Sequence, residues 1–164
     1  MSLARLTDGE STTAGLATKH TVEFSAGLNT FVRLSSYEER NFVSAPDVYM
    51  SCTYGLYRLS QRIPARGLQS SLLMDERIVE VGSSKLEVRD SDSSPYFMTI
   101  GYMTDLLYGL SEALHSALWN VEADIEIWDR TTRHHVGHGT LENRYTPRQA
   151  AGTTSRGNGT ATAR

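Results

Sequence analysis

Residues 121–128, Val-Glu-Ala-Asp-Ile-Glu-Ile-Trp, alternate apolar and acidic side chains almost without a break. Val121, Ala123, Ile125 and Ile127 fall on one face of an extended chain, and Glu122, Asp124 and Glu126 on the other. A period of two with one oily and one charged face belongs to a strand of an antiparallel sheet packed on one side only. The chain must therefore build a sheet and find something to cover its dry face. Asp129-Arg-Thr-Thr reads as the turn that follows, and residues 133–142 as the returning strand. Val136 is expected on the face of Ile125 and Ile127, which asks for an even-numbered loop.

The cover is expected from Met103 to Trp119. Leu107, Leu110, Leu114 and Leu118 recur at three and four, with Met103 and Leu106 beside them, which is the spacing of an amphipathic helix. Thr104 is the expected N-cap, Asp105 the first-turn carboxylate favoured by the helix dipole, and Asn120 the stop. Gly109 and Ser111 leave a shallow place where another backbone could come close.

Earlier in the chain, residues 19–34 read as extended and broken by Gly27-Leu-Asn, and residues 35–47 as polar and turn-rich, ending in Ala45-Pro46-Asp47. Residues 48–60 contain β-formers (Val48, Tyr49, Thr53, Tyr54, Tyr57) but no clean period of two. They are read as a strand, with a short helix as the alternative. Ile63-Pro-Ala-Arg-Gly67 reads as a turn. Leu72–Val81 and Leu86–Arg89 flank Gly82-Ser83, and a two-residue loop with glycine first is the signature of a type II′ hairpin. That register sets Val79 against Leu86, Glu80 against Lys85 and Glu76 against Arg89, so that like meets like and opposite charges meet. A four-residue loop would set Glu80 against Glu87. Strands, a hairpin, one long helix and a last hairpin make an α+β chain with an antiparallel sheet wrapped on one central helix.

The 164 residues divide into a polar head (1–18), a single α+β domain (19–146) and a tail (147–164) with nothing more apolar than alanine and proline. Head and tail are expected to be disordered, because neither can offset its ordering entropy by burial. The tail is basic, through Arg148, Arg156 and Arg164, although the whole chain has a formal charge of −3. An acidic balance argues against general nucleic-acid binding. No apolar window is long enough to cross a membrane, and the first residues carry no signal-like apolar run. Cys52 is the single cysteine, so no internal disulfide forms and a cytoplasmic location is expected.

Chemistry has few places to sit. His134 and His138 are four apart, but on a strand that is ~13 Å, too far to share a metal ion, and His135 is expected on the opposite face. A histidine near neutrality can still move protons, which keeps His134 as a candidate. Asp105 is a candidate general base beside the helix start, and Glu112 and His115 share one side of the same helix. Cys52 lacks the positive setting that makes a thiolate and reads as a buried, inert thiol. There is no Gly-x-Ser-x-Gly and no glycine-rich phosphate loop, so no cofactor is implied. Tyr49, Tyr54, Tyr57, Tyr96, Tyr102 and Tyr108 offer amphipathic surface for a pocket or a subunit seam.

Val79-Glu-Val-Gly-Ser-Ser-Lys-Leu-Glu-Val88, the helix after Met98-Thr-Ile-Gly-Tyr102, and Ile125-Glu-Ile-Trp-Asp-Arg-Thr-Thr-Arg-His-His-Val-Gly-His-Gly-Thr140 together resemble the hotdog superfamily over about residues 70–142. The resemblance implies acyl-thioester chemistry of the thioesterase or dehydratase kind, in dimers with the active site at the seam. It is one of shape. The Asp-x-x-Gly-His-x-Asn pattern is absent, one hairpin follows the helix where three strands would stand, and no catalytic residue transfers by motif.

The expected protein is thus a small cytoplasmic enzyme acting on a small-molecule or acyl-carrier-bound thioester, or on a related apolar biosynthetic intermediate. Asp105, His115 and His134 are the candidate catalytic residues, and Tyr54, Tyr57, Tyr102 and Tyr108 the candidate substrate-binding ones. No metal, cofactor, nucleic acid or membrane is expected, and a homodimer or higher homo-oligomer is. Two alternatives stand beside it: a non-catalytic binding or assembly module, and a cyclase or isomerase in a cystatin-like conical barrel.

Overall fold

The computed structural model describes residues 5–6, 19–37, 42–92, 95–115 and 121–145. In chain order these form β1 (Arg5–Leu6), β2 (Lys19–Ala26), β3 (Thr30–Tyr37), α1 (Ala45–Arg66), a 3-10 turn (Met74–Glu76), β4 (Ile78–Val81), β5 (Ser84–Asp90), α2 (Ile100–His115), β6 (Ala123–Asp129) and β7 (His135–Asn143). The strands make one antiparallel sheet in the order β1-β2-β3-β6-β7-β5-β4. Three hairpins, β2–β3, β6–β7 and β4–β5, are zipped together by the β3–β6 and β7–β5 ladders. β1 lies within the head expected to be disordered; the rest of 1–18, and the tail from 146 onward, lie outside the described residues. No helix is long and apolar enough among the described residues to cross a membrane.

The protein is α+β, but two helices cover the sheet where one was expected. α1 lies against β4 and β5, α2 against β2 and β3, and the helices pack along each other on the same face. Between helices and sheet, Val32, Leu34, Ile125 and Ile127 meet Met103, Leu106 and Leu107, all at most 1% exposed. The opposite face of the sheet carries the charged residues and is covered by no described helix.

α1 overturns the reading of 48–60 as a strand and of 63–67 as a turn. Its start is marked by Ser44, whose hydroxyl accepts the Asp47 N–H at 3.4 Å, by a proline in the first turn and by Asp47 on the positive end of the dipole. Its end is Gly67 at φ 78°, with the Gly67 N–H bonded to the Ile63 carbonyl at 2.8 Å. The buried stripe is Val48, Ser51, Cys52, Gly55 and Leu59, which is a helical period written largely in small residues. The tyrosines that argued for a strand face solvent instead.

The hairpin around Gly82-Ser83 forms in the expected register, Val79 against Leu86 and Glu80 against Lys85. Gly82 sits at φ 56° while Ser83 stays at negative φ, as a type II′ turn requires. β4 begins only at Ile78, so the expected Glu76–Arg89 pair does not form. Glu76 lies in the 3-10 turn, buried, and its carboxylate takes Arg66 Nη1 at 2.6 and 2.8 Å and the Leu73 N–H at 2.7 Å.

α2 starts earlier than expected. Thr99, not Thr104, caps it, with Thr99 Oγ1 accepting the Tyr102 N–H at 3.2 Å; the Thr104 hydroxyl donates back to the Ile100 carbonyl at 2.8 Å. Asp105 therefore lies in the second turn, away from the first N–H groups of the helix, which are taken by Ser70, Leu68 and Thr99. Leu118, Trp119 and the Asn120 stop lie outside the described residues. The expected close approach at Gly109 is present: a Cβ there would stand 2.7 Å from the Ala26 Cβ and 2.7 Å from the Phe24 ring.

The alternation of β6 is borne out, with Ala123, Ile125 and Ile127 buried. Its loop to β7, closed by the Trp128–His135 pair, has the even count expected (129–134), and a bulge then shifts the register so that Ile127 pairs with Gly137. Val136 is the extra residue, and both Val136 and Gly137 are buried. The bulge also returns His135 and His138 to one side of the sheet, against the expectation of opposite faces.

The Arg66–Glu76 pair gives a direct check. Removing the cation leaves a buried carboxylate with too few partners, so Arg66→Met should lower unfolding free energy by about 3 kcal/mol in urea titration. A loss below about 1 kcal/mol would show that Leu73 and Arg62 suffice to hold Glu76.

Candidate functional site

Of the expected site residues, Tyr102 and Asp105 come together. They project from α2 into a cleft of about 470 Å³ where the β2–β3 turn (Gly27, Leu28, Asn29), the segment after α1 (Leu68, Gln69) and Asp129 of β6 meet. Thr30 Oγ1 donates to Asp105 Oδ2 at 2.6 Å, and Tyr102 Oη donates to Asp129 Oδ2 at 2.6 Å. Asp129 Oδ1 in turn accepts the N–H groups of Thr131 and Thr132 and the Thr132 hydroxyl, which fixes the β6–β7 loop.

Asp105 reaches this place because Gly27 lets it. Gly27 holds φ 67°, and a Cβ built on it would stand 2.3 Å from Asp105 Oδ1. The same construction occurs at the other hairpin. Asp47 of α1 lies against Gly82, where a Cβ would stand 2.5 Å from Asp47 Oδ1, and its Oδ2 takes the Ser83 N–H at 2.8 Å and the Ser83 hydroxyl at 2.6 Å. Each helix thus lays one carboxylate on the glycine of a hairpin turn.

The two carboxylates are not electrically alike. The side-chain and backbone hydrogen bonds from Ser83 hold Asp47 below the ordinary carboxylate range. Burial pushes Asp105 above it, and the single hydroxyl of Thr30 offsets this only in part. Burial likewise pushes the Tyr102 hydroxyl far above the usual tyrosine range, helped by Asp129 and Asp105, so it remains a hydrogen-bond donor. Burial raises Asp129 too, but the hydrogen bonds from Tyr102, Thr132 and Thr131 outweigh it, and its net shift is downward.

The other expected residues stand elsewhere. His134 sits at the same end of the sheet, stacked on the Tyr96 ring at 4.6 Å, with its carbonyl accepting the Asp129 N–H. Tyr108 is exposed on α2, and Tyr54 and Tyr57 are exposed on α1, none of them in the cleft. His115 ends α2, and its side chain lies outside what is described. Cys52 is buried, and desolvation pushes its thiol up to about 12, so it is no nucleophile. Thr30, Gly27 and Asp129 were not singled out in the sequence; Gly27 and Asp129 were visible there only as turn residues.

Comparison of the sequence and fold with family models, curated proteins and solved structures returns no match.

Asp105 makes stability depend on pH in a definite direction. Its folded pKa lies above the unfolded value of ~3.9, so the folded chain holds this proton more tightly. The resulting stabilisation is complete below the unfolded pKa and is lost as pH rises through the folded one. Asp105→Asn cannot titrate. Chemical denaturation on both sides of that window should show wild type losing ground to Asp105→Asn as pH rises; a shift the other way would contradict the burial argument.

Proposed function

We propose that the cleft is the site of a small acid–base enzyme acting on an acyl thioester or related carbonyl intermediate, of the thioesterase or dehydratase kind. The observation that carries this reading is the contrast between Asp47 and Asp105. Two carboxylates share one structural task, yet only Asp105 is left under-bonded and half-buried beside a cleft. Groups whose environments drive their pKa values apart mark acid–base assignments. In this reading Asp105 takes a proton from the substrate, or from a water attacking it, and returns it as the acid. Tyr102, tied to Asp129, orients the bound group by hydrogen bonding.

The walls include Asn29, Gln69, Thr99 and Thr104 beside Leu28 and Leu68. Such a mixed lining favours a short, polar acyl group over a long chain, while the apolar space under the helices is occupied by the core itself. Asp105→Asn keeps an oxygen for the Thr30 hydroxyl and removes only the titration. Across a panel of acyl-CoA and acyl-carrier thioesters, with thiol release monitored, wild type should turn over at least one member and Asp105→Asn should be slower by about 100-fold or more. Equal rates would retire Asp105 as the base.

The exposed side of α1 favours a second reading, an assembly module whose partner is another copy of the chain. Met50, Tyr54 and Tyr57 are 51%, 47% and 63% exposed along one helix side. An aromatic stripe of this kind can pack on its own copy about a two-fold axis. Light scattering on the eluting protein should then show a dimer that Tyr54→Ser/Tyr57→Ser converts to monomer; a wild-type monomer at all accessible concentrations would exclude it.

A further inference from the structure

We propose a second ligand site on the uncovered face of the sheet, taking a small organic anion with a flat apolar body, such as an aryl phosphate or aryl carboxylate. A cavity of about 440 Å³ opens there, lined by Phe31, Arg33, Trp128, Asp129, Arg130 and Arg133. Its volume is that of a small-molecule site, and its chemistry is divided. Phe31 and Trp128 are paired across the β3–β6 ladder and supply a flat apolar floor. Three of the six lining residues are arginines.

The arginines are not equivalent. Arg33 is already held, with its Nε 2.6 Å from Glu23 and its Nη1 3.0 Å from Glu126. Arg130 and Arg133 are exposed and form no ion pair among the described residues. Their loop is set in place: the Arg130 N–H bonds to the Asn29 carbonyl at 2.7 Å and the Arg133 N–H to the Asp129 carbonyl at 2.8 Å. Arg133 is held at φ 58°, the one positive-φ residue other than glycine among those described.

The floor is similarly fixed. Trp128 leans on the His135 ring at 4.8 Å, and His135 Nδ1 lies 2.8 Å from the Ser91 hydroxyl. The Trp128 indole N–H is without a hydrogen-bond partner, an unusual state for a shielded donor. Two unpaired guanidinium groups above an aromatic floor match a ligand that is anionic at one end and flat and apolar at the other. A guanidinium fork suits carboxylate and phosphate alike. This site opens on the opposite face of the sheet, shares only Asp129 with the lining of the Asp105 cleft, and does not depend on the proposed reaction.

The test follows the Trp128 indole resonance in proton–nitrogen spectra of the full chain. Tryptophan occurs twice, so Trp119→Phe assigns the signal. Phenyl phosphate, benzoate or both should shift the resonance saturably, and the stronger of the two identifies the anion. Arg130→Gln/Arg133→Asn should weaken that binding about tenfold or more, while the fold stays intact by circular dichroism. Asparagine is chosen at 133 because it tolerates the left-handed backbone. The proposal is overturned if neither aryl anion shifts the resonance up to about 10 mM, or if the double variant binds them unchanged. It is equally overturned if benzyl alcohol or inorganic phosphate alone binds as tightly as the aryl anions.

Discussion

The close seating of α2 on the β2–β3 hairpin is the constraint from which the rest follows. Gly109 has no side chain, so the helix can lie directly on Ala26 and beside the Phe24 ring. One helical turn earlier, that closeness brings Asp105 onto the glycine of the same hairpin, within 2.6 Å of the Thr30 hydroxyl. A helix held farther from the sheet would leave the carboxylate in water. There it would ionise normally, and the cleft against Leu28 and Asn29 would lose its acidic wall. Packing therefore sets the position of the carboxyl group, and position sets its electrostatics.

α1 repeats the device at the other hairpin with a different outcome. Asp47 is satisfied by a backbone N–H and a hydroxyl, both from Ser83. The comparison separates what a carboxylate does for a turn from what it can do for a substrate. Asp105 does not owe its character to the helix N-terminus that its place in the sequence suggests. The group lies in the second turn, and its character comes from burial against a hairpin 75 residues away from it at Thr30. No spacing along the chain announces a contact of that range.

Local patterns were legible where one residue type carries the whole signal. Gly82 announces its turn, and the register of β4 on β5 follows from charge and apolar pairing. The alternation of β6 and the stripe of α2 through Leu106, Leu107 and Leu110 are equally plain, because large apolar side chains mark the buried positions. α1 was not legible for the converse reason: Ser51, Cys52 and Gly55 fill its buried stripe, and the tyrosines that suggest a strand lie outside. Small residues are needed there because Gly55 faces Leu107 of α2, where a Cβ would stand 2.8 Å from a leucine methyl. The bulge at Val136 was also hidden, since nothing in the pattern of 133–142 marks the point at which one strand takes an extra residue. The arginine-lined basin escaped because Trp128, Arg130 and Arg133 read separately as the end of a strand, a turn and the start of the returning strand.

The most direct measurement is a carbon-13 titration of the aspartate side-chain carboxyl groups in the intact protein, with Asp47→Asn and Asp105→Asn assigning the two signals. Asp105 should titrate above the ordinary aspartate value and Asp47 below it. Coincident titrations, or the reverse order, would contradict the claim that one hairpin clasp has been left with a proton to exchange.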